Sequence, residues 1–410
     1  MNCFKKPLLL SFLLLGLSGC GLPAGPAVPP SFVTLSSNKT QLSVSSANAI
    51  NPQIAVDSSS RVFVTWQDTT SNKILFSSFI DGPSLPPPPV PVAIPGSAGG
   101  SFPRMTTDGN GNAFVIWYSN NNIFLNYGTS SGFQTTPVLI STTPVPPSQA
   151  GVAPPADITY DSGSSTLYVS WSQCSTCPPS PTINDIFYAT TLIPNPLVNP
   201  LTVSAPVMVT NNNSSNIFLL YPKIKLFGGT PYIVYQSTGP TSPQSGLYLS
   251  QMSTPINVAG SQATASNASL GIDNSGNSYV AWNPTQTSDV YFNTLPAGNS
   301  QFNSPPLNLS HKPSTYGPAI ALDSSQYVYV AYFARPAYQT TYDVFLTRTT
   351  NGGSIFTDAF DISNTTMGDS FSYAPGIAIT GKTGYIVWDD NTYTPGHSTY
   401  QILLQKIILN

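Results

Sequence analysis

The side chains that could do chemistry in this chain are few, and most of them sit in stretches that read as loops. The segment WDDNTYTPGH, Trp388 to His397, gathers two carboxylates, a tyrosine and one of only two histidines, the other being His311. Asp389, Asp390 and His397, with Arg335 from an earlier loop, could serve acid–base chemistry if they converge on one cleft. A solvated acidic turn has the same composition. Asp68, Tyr118, Gln236, Asn283 and Tyr338 occupy comparable places in other loops, and polar groups beside an aromatic suit a sugar or a peptide through hydrogen bonds and stacking. Cys174 and Cys177 make one isolated C-x2-C, expected as a small disulfide in an oxidising compartment. Zinc would need two more ligands, and a thioredoxin-type role would need a helix where PPSPT stands. DGNGN at Asp108 and DNSGN at Asp273 imitate calcium loops, but DSSSR and DSSQY fill the same place, so hairpin turns are expected. No metal and no cofactor is expected.

Composition narrows the options further. All sixteen acidic residues are Asp, and the arginines are Arg61, Arg104, Arg335 and Arg348. Charged residues make up 7% of the chain and the formal net charge is −3, so no basic face can be assembled and nucleic acid is not expected as a partner. Residues 1–20, MNCFKKPLLLSFLLLGLSGC, combine a short basic start, an apolar run from Leu8 to Leu17 and small residues before Cys20. The run is too short for a permanent membrane span and reads as a signal peptide. Leu17-Ser18-Gly19-Cys20 resembles the bacterial lipobox, which implies acylation of Cys20 and attachment to the membrane through a lipid anchor. Gly21 after it favours the outer membrane of a Gram-negative envelope. Residues 21–38 are expected to be a flexible tether, and 39–410 one folded domain acting as a monomer.

The elements that must position these side chains are repeats. PAIALDSSQYVYVAY, Pro318 to Tyr332, is one of seven copies of a pattern: an apolar run, a turn usually led by Asp, then an alternating aromatic and β-branched run ending on a large ring. The other copies begin at Pro52, Pro103, Ala156, Pro222, Ala268 and Pro375. Every Trp of the chain, Trp66, Trp117, Trp171, Trp282 and Trp388, occupies the ring position, with Tyr235 and Tyr332 in the remaining copies. The copies recur every 46 to 66 residues, the spacing of four-stranded propeller blades. A third strand follows each ring, as in KILFSSF at Lys73, and then a fourth, as in VAIP at Val92. The last copy has no fourth strand after it, so QLSV, Gln41 to Val44, is expected to close the ring beside the C-terminal strands. The expected fold is all-β, a seven-bladed β-propeller of four-stranded blades closed by an N-terminal strand.

With its order of apolar run, Asp, turn, strand, Trp and a strand like DIFY at Asp185, the region from Gln41 to Asn410 resembles the sialidase-like propellers, also called BNR or Asp-box proteins. The Asp box itself is matched best by TTNGGSIF, Thr349 to Phe356, with Asn351 at the Asp position and Phe356 at the Trp position. Sialidases of that family use three arginines to hold a carboxylate, an Asp as acid/base and a Tyr activated by a Glu; a chain without Glu cannot build the last pair. FPRM, Phe102 to Met105, is similar to the family's FRIP motif, but Arg104 stands where other copies carry Gln53, Ala319 or Gly376 and is read as part of the repeat. The expectation is a lipid-anchored envelope or surface propeller, a non-catalytic binding or scaffold module for a glycan or a protein partner. The alternative is a carbohydrate-active enzyme, glycosidase, sialidase-like or lyase, using Asp residues on the face where the second-to-third-strand loops open.

Overall fold

In the computed structural model the described residues are 31–36, 39–44, 46–82, 90–145, 155–176, 183–194, 201–239, 245–260, 265–284, 287–310, 314–335, 341–349, 352–364, 372–391 and 398–410. Every regular element among them is a β-strand, and the strands form seven antiparallel sheets. Blade 1 runs outward through Ala49–Val56, Arg61–Asp68, Lys73–Ile80 and Val92–Ala93. The inner strands of blades 2 to 6 are Ser101–Thr107, Ala156–Asp161, Phe218–Phe227, Ala265–Ile272 and Thr315–Leu322. Each inner strand lies beside that of the next blade, and Ser372–Thr380 of blade 7 returns to blade 1, which makes the ring. This is the expected seven-bladed propeller.

The second strand of each blade is its apolar layer. Val328–Ala334 of blade 6, VYVAYFA, is buried at all but one position, as a β-branched and aromatic run covered on both faces should be. The repeated rings form the core of each blade; five lie directly across from an aromatic of the third strand, and Trp66 and Trp388 lie across from Leu75 and Leu403. Trp117 stacks on Phe124 at 6.0 Å, Tyr235 on Tyr248 at 6.0 Å, Trp282 on Tyr291 at 6.0 Å and Tyr332 on Phe345 at 6.0 Å. Such cross-strand pairs fix the register of the sheet. The Asp-led turns are hairpin turns: Asp273 Oδ1 accepts the amides of Ser275 and Asn277, both at 2.9 Å, and Asp108 Oδ1 those of Asn110 at 2.8 Å and Asn112 at 3.2 Å.

Ring closure uses the N-terminus. In blade 7 the third strand, Gln401–Leu409, pairs on its outer side with Thr40 and Gln41, opposite Leu404 and Leu403. Ser43 accepts the Ile402 amide at 2.9 Å and donates to Gln401 Oε1 at 2.8 Å. Thr210 in blade 3 and Ser363 in blade 6 make the same pair of bonds to Ile186 and Asp185, and to Val344 and Asp343. The N-terminal segment thus stands in as a fourth strand in every respect. The expected tether needs correcting at its end, because Val33–Leu35 also pairs with Leu409, Ile408 and Ile407. Phe32 and Val33 are buried with Tyr329 of blade 6 and Leu403 of blade 7, and burial of these apolar side chains holds the segment on the domain.

The seam between blades 7 and 1 is sealed by an ion pair. Lys406 Nζ donates to Asp81 at 2.6 and 2.8 Å and to the Gly82 carbonyl at 2.9 Å, with both side chains about nine-tenths buried at 9% and 11% exposure. Removing one partner leaves the other charge without compensation. Lys406→Met is therefore expected to lower unfolding stability in denaturant titration by about 3 kcal/mol, with part of the loss recovered in the Lys406→Met, Asp81→Asn double variant.

Candidate functional site

The loop residues singled out from the sequence are held mainly within the blade walls. Asp68 caps a turn, accepting from the Thr70 amide at 2.9 Å and the Ser71 hydroxyl at 2.8 Å. Asn283 is buried and fully engaged: its Nδ2 donates to the carbonyls of Asp289 at 2.6 Å and Thr315 at 3.0 Å, and its Oδ1 accepts the Gly317 amide at 2.8 Å. Asp389 and Asp390 are neighbours on the buried strand Thr383–Asp390, so their carboxylates point to opposite faces. Asp389 accepts the Asn51 amide of blade 1 at 3.2 Å, and Asp390 accepts from Trp388 Nε1 at 3.1 Å. Arg335 reaches Ser314 at 3.3 Å, Tyr118 donates to Asn121 at 2.7 Å, and Gln236 is buried with no partner for its Oε1. Cys174 is disulfide-bonded. Cys20, Cys177, Tyr338 and His397 lie outside the described residues.

The place where polar side chains from many blades do converge is the axis. A cavity of about 250 Å³ is lined by residues of all seven inner strands, and none of the described loop candidates contributes to it. Its floor plan follows from one repeat position, the residue after the conserved Pro or Ala: Gln53, Arg104, Asp157, Lys223, Ser269, Ala319 and Gly376 in blade order. Arg104 is thus a lining residue of the axial cavity, which its place in the repeat had concealed. Its Nη1 donates to Gln53 Oε1 at 2.6 Å, while its buried Nε has no partner. Lys223 sends a buried Nζ into the same cavity, also without a hydrogen-bond partner. Asp157, between them in blade 3, uses Oδ2 to accept the Ile224 amide at 3.0 Å. Lys225 is a third cation on the lining.

Burial pushes the Lys223 ammonium down to about 7, and the neighbouring Arg104 adds to the effect, Asp157 opposes it and Lys225 adds again. Burial also lowers Arg104, against the pull of Asp157, although a guanidinium stays charged at any ordinary pH. The signal that could have found this site is the variability among copies. The same alignment column that holds Gly376 in one blade holds Arg104 and Lys223 in others, beside columns that hardly vary.

Part of the cavity lining is shaped by backbone strain. In six blades the inner strand carries an extra residue, so that two of its residues oppose one repeat ring: Asn51 and Pro52 face Trp66, and Phe102 and Pro103 face Trp117. Tyr221 and Pro222 face Tyr235, Asn267 and Ala268 face Trp282, and Gly317 and Pro318 face Tyr332. The bulged residue is left-handed in each of these, with φ of 54° at Asn51, 52° at Phe102, 56° at Tyr221, 51° at Asn267 and 62° at Gly317, and all five line the cavity. Asn and Gly suit this conformation, whereas a bulky aromatic does not. Phe102 and Tyr221 are therefore the costly choices, and each lies two residues before an axial cation, Arg104 and Lys223. Strain of this sort persists where the surroundings enforce it, commonly at functional sites.

Neither a protein-family model nor a curated protein matches the sequence. Solved structures do match in fold. The chain is similar to the polysaccharide lyase Uly1 at 9% identity and a TM-score of 0.59, covering 92% of this chain and 100% of that one. It is similar to the phage phi92 endosialidase at 11% identity and a TM-score of 0.51, covering 92% and 70%. A Dyadobacter fermentans protein of unknown function matches at 9% identity and a TM-score of 0.52, covering 93% and 100%. At these identities the likeness is one of fold.

Relief of the left-handed strain can be measured directly. Phe102→Asn and Tyr221→Asn are expected to leave stability intact or raise it by up to about 1 kcal/mol in denaturant unfolding. A loss of several kcal/mol would mean that the two rings serve packing rather than the cavity.

Proposed function

We propose that the protein is a non-catalytic glycan-binding propeller that receives its ligand at the axial cavity and is held at the bacterial cell envelope by a lipid on Cys20. The observation that carries this reading is the pairing of two strained aromatics, Phe102 and Tyr221, with two cations that each hold a buried donor without a partner, Arg104 Nε and Lys223 Nζ, around one cavity. Aromatic faces and convergent hydrogen-bond donors are what sugar recognition requires. Two structures of similar fold, a polysaccharide lyase and an endosialidase, bear names of carbohydrate-directed enzymes and support the class of ligand. Catalysis at the paired aspartates is the less supported reading, because Asp389 and Asp390 are engaged with Asn51 and Trp388 on opposite faces of one strand.

A glycan array probed with the full-length protein, followed by analysis of the bound sugars, separates the possibilities. Retention of intact glycan is expected, with Phe102→Asn and Tyr221→Asn each weakening it about threefold to tenfold, the worth of one aromatic contact. Shortened products would overturn the non-catalytic reading, and silence across the array would overturn the glycan reading in favour of a protein partner. For the anchor, Cys20→Ser is expected to abolish incorporation of labelled fatty acid and to move the protein from the membrane to the soluble fraction. Unchanged fractionation would refute lipid attachment at that residue.

A further inference from the structure

Resting on the axial reading above, we propose that the group entering the cavity is an oxyanion, the carboxylate or sulfate of an acidic glycan, and that Lys223 takes up one proton as it binds. The two partnerless groups are both pure donors, the Lys223 ammonium and the Arg104 Nε–H. What completes them must be an acceptor. Among the described residues, the charged groups lining the cavity are Arg104 from blade 2, Asp157 from blade 3, and Lys223 and Lys225 from blade 4. Blades 1, 5, 6 and 7 contribute only neutral groups, including Gln53, Ser269, Ala319 and Gly376. With Lys223 protonated, these three cations and one carboxylate sum to +2, within a chain whose formal net charge is −3. Asp157 accepts the Ile224 amide, and neither Arg104 Nε nor Lys223 Nζ is hydrogen-bonded to it. A buried cation without a counterion is costly, and an incoming oxyanion supplies the counterion together with the missing acceptors.

Size and charge choose among anions. At about 250 Å³ the cavity is smaller than the roughly 300 Å³ at which pockets for drug-sized ligands begin. It therefore admits one charged group or one sugar unit, and the rest of a polymer must lie outside it. A nucleic acid would need a track of cations for successive phosphates, and thirteen Lys and Arg in 410 residues do not build one.

The proton balance follows from the position of Lys223. In the empty cavity its ammonium titrates at about 7, and an adjacent anion raises that value. Above neutrality the empty site holds a neutral amine, so binding consumes a proton and weakens as pH rises. Below it the ammonium is already in place, and binding neither takes up a proton nor depends on Lys223 titration.

Isothermal titration of the full-length protein in buffers of different ionisation enthalpy reads this uptake. The probes are an oligogalacturonide as carboxylate, a κ-carrageenan oligosaccharide as sulfate and maltoheptaose as neutral control. Close to one proton per ligand is expected at about pH 8 and close to none at about pH 6. The more tightly bound acidic probe identifies the source of the oxyanion. Lys223→Met is expected to weaken acidic-probe binding by roughly tenfold to a hundredfold at the lower pH and to abolish uptake. Lys223→Arg, permanently charged, is expected to bind without uptake at either pH. Uptake that survives in both variants, or tight acidic-probe binding without uptake in the wild type, would overturn the proton linkage alone. Equal binding of maltoheptaose would overturn the oxyanion while leaving glycan binding at the axis standing. Tighter binding of a single-stranded oligonucleotide than of any glycan would overturn the ligand class, and absence of binding by every probe would overturn the glycan reading with it.

Discussion

The extra residue opposite six of the seven repeat rings is the constraint on which the central cavity depends. A large ring on the second strand has to be accommodated against the innermost strand, where the blades crowd together. The inner strand answers by opposing two residues to one, as with Asn51 and Pro52 across from Trp66. A bulge of this kind bends the strand and redirects the residue it inserts. Here five of the inserted residues, Asn51, Phe102, Tyr221, Asn267 and Gly317, line the axial cavity, so the bulge that interrupts strand pairing also builds part of its wall. Blade 3 lacks the shift, and its Ala156 pairs directly with Trp171.

The amides freed at these bulges also tie neighbouring blades. Asn283 accepts the Gly317 amide, and Asp389 accepts that of Asn51 across the junction of blades 7 and 1. Both acceptors directly follow a repeat Trp, Trp282 and Trp388. A polar residue there reads from sequence as loop chemistry, yet its physical role is to satisfy a backbone donor that strand pairing has left over. The axial ring is the opposite case. Arg104 and Lys223 look like ordinary substitutions in a β-repeat, but each holds a buried donor without a partner.

Much of the fold was legible because repetition multiplies a weak signal. One alternating run proves little, whereas five Trp in a single column of seven copies fix blade number and register together. Closure was legible by counting fourth strands, and Thr40–Gln41 supplies the missing one. The strand Val33–Leu35 was hidden, since its short apolar run sits in Pro- and Ser-rich surroundings and its partners lie at the far end of the chain. The bulges were half visible. Asn51, Asn267 and Gly317 are residue types that accept a left-handed backbone, but Phe102 and Tyr221 give no such hint. The axial site is assembled from one residue per blade, so linear proximity does not mark it, and its one trace is the variability of the repeat column that holds Gly376, Arg104 and Lys223.

A ring made from a linear chain has one joint between its ends. Gln401–Leu409 finds its outer neighbours among Val33–Leu35 and Thr40–Gln41, so the two ends of the domain meet across every intervening blade. Hairpins within a blade close over short loops and form on their own account, whereas this contact bears the largest loop entropy in the molecule. The order of assembly that entropy favours is therefore blades first, junction last. The same joint sets the order of failure, for an open ring exposes the edge of a nine-residue apolar strand, QILLQKIIL, and an unpaired edge of that composition is where chains add to one another. Joining the two termini in one sheet thus limits self-association as much as it contributes to stability.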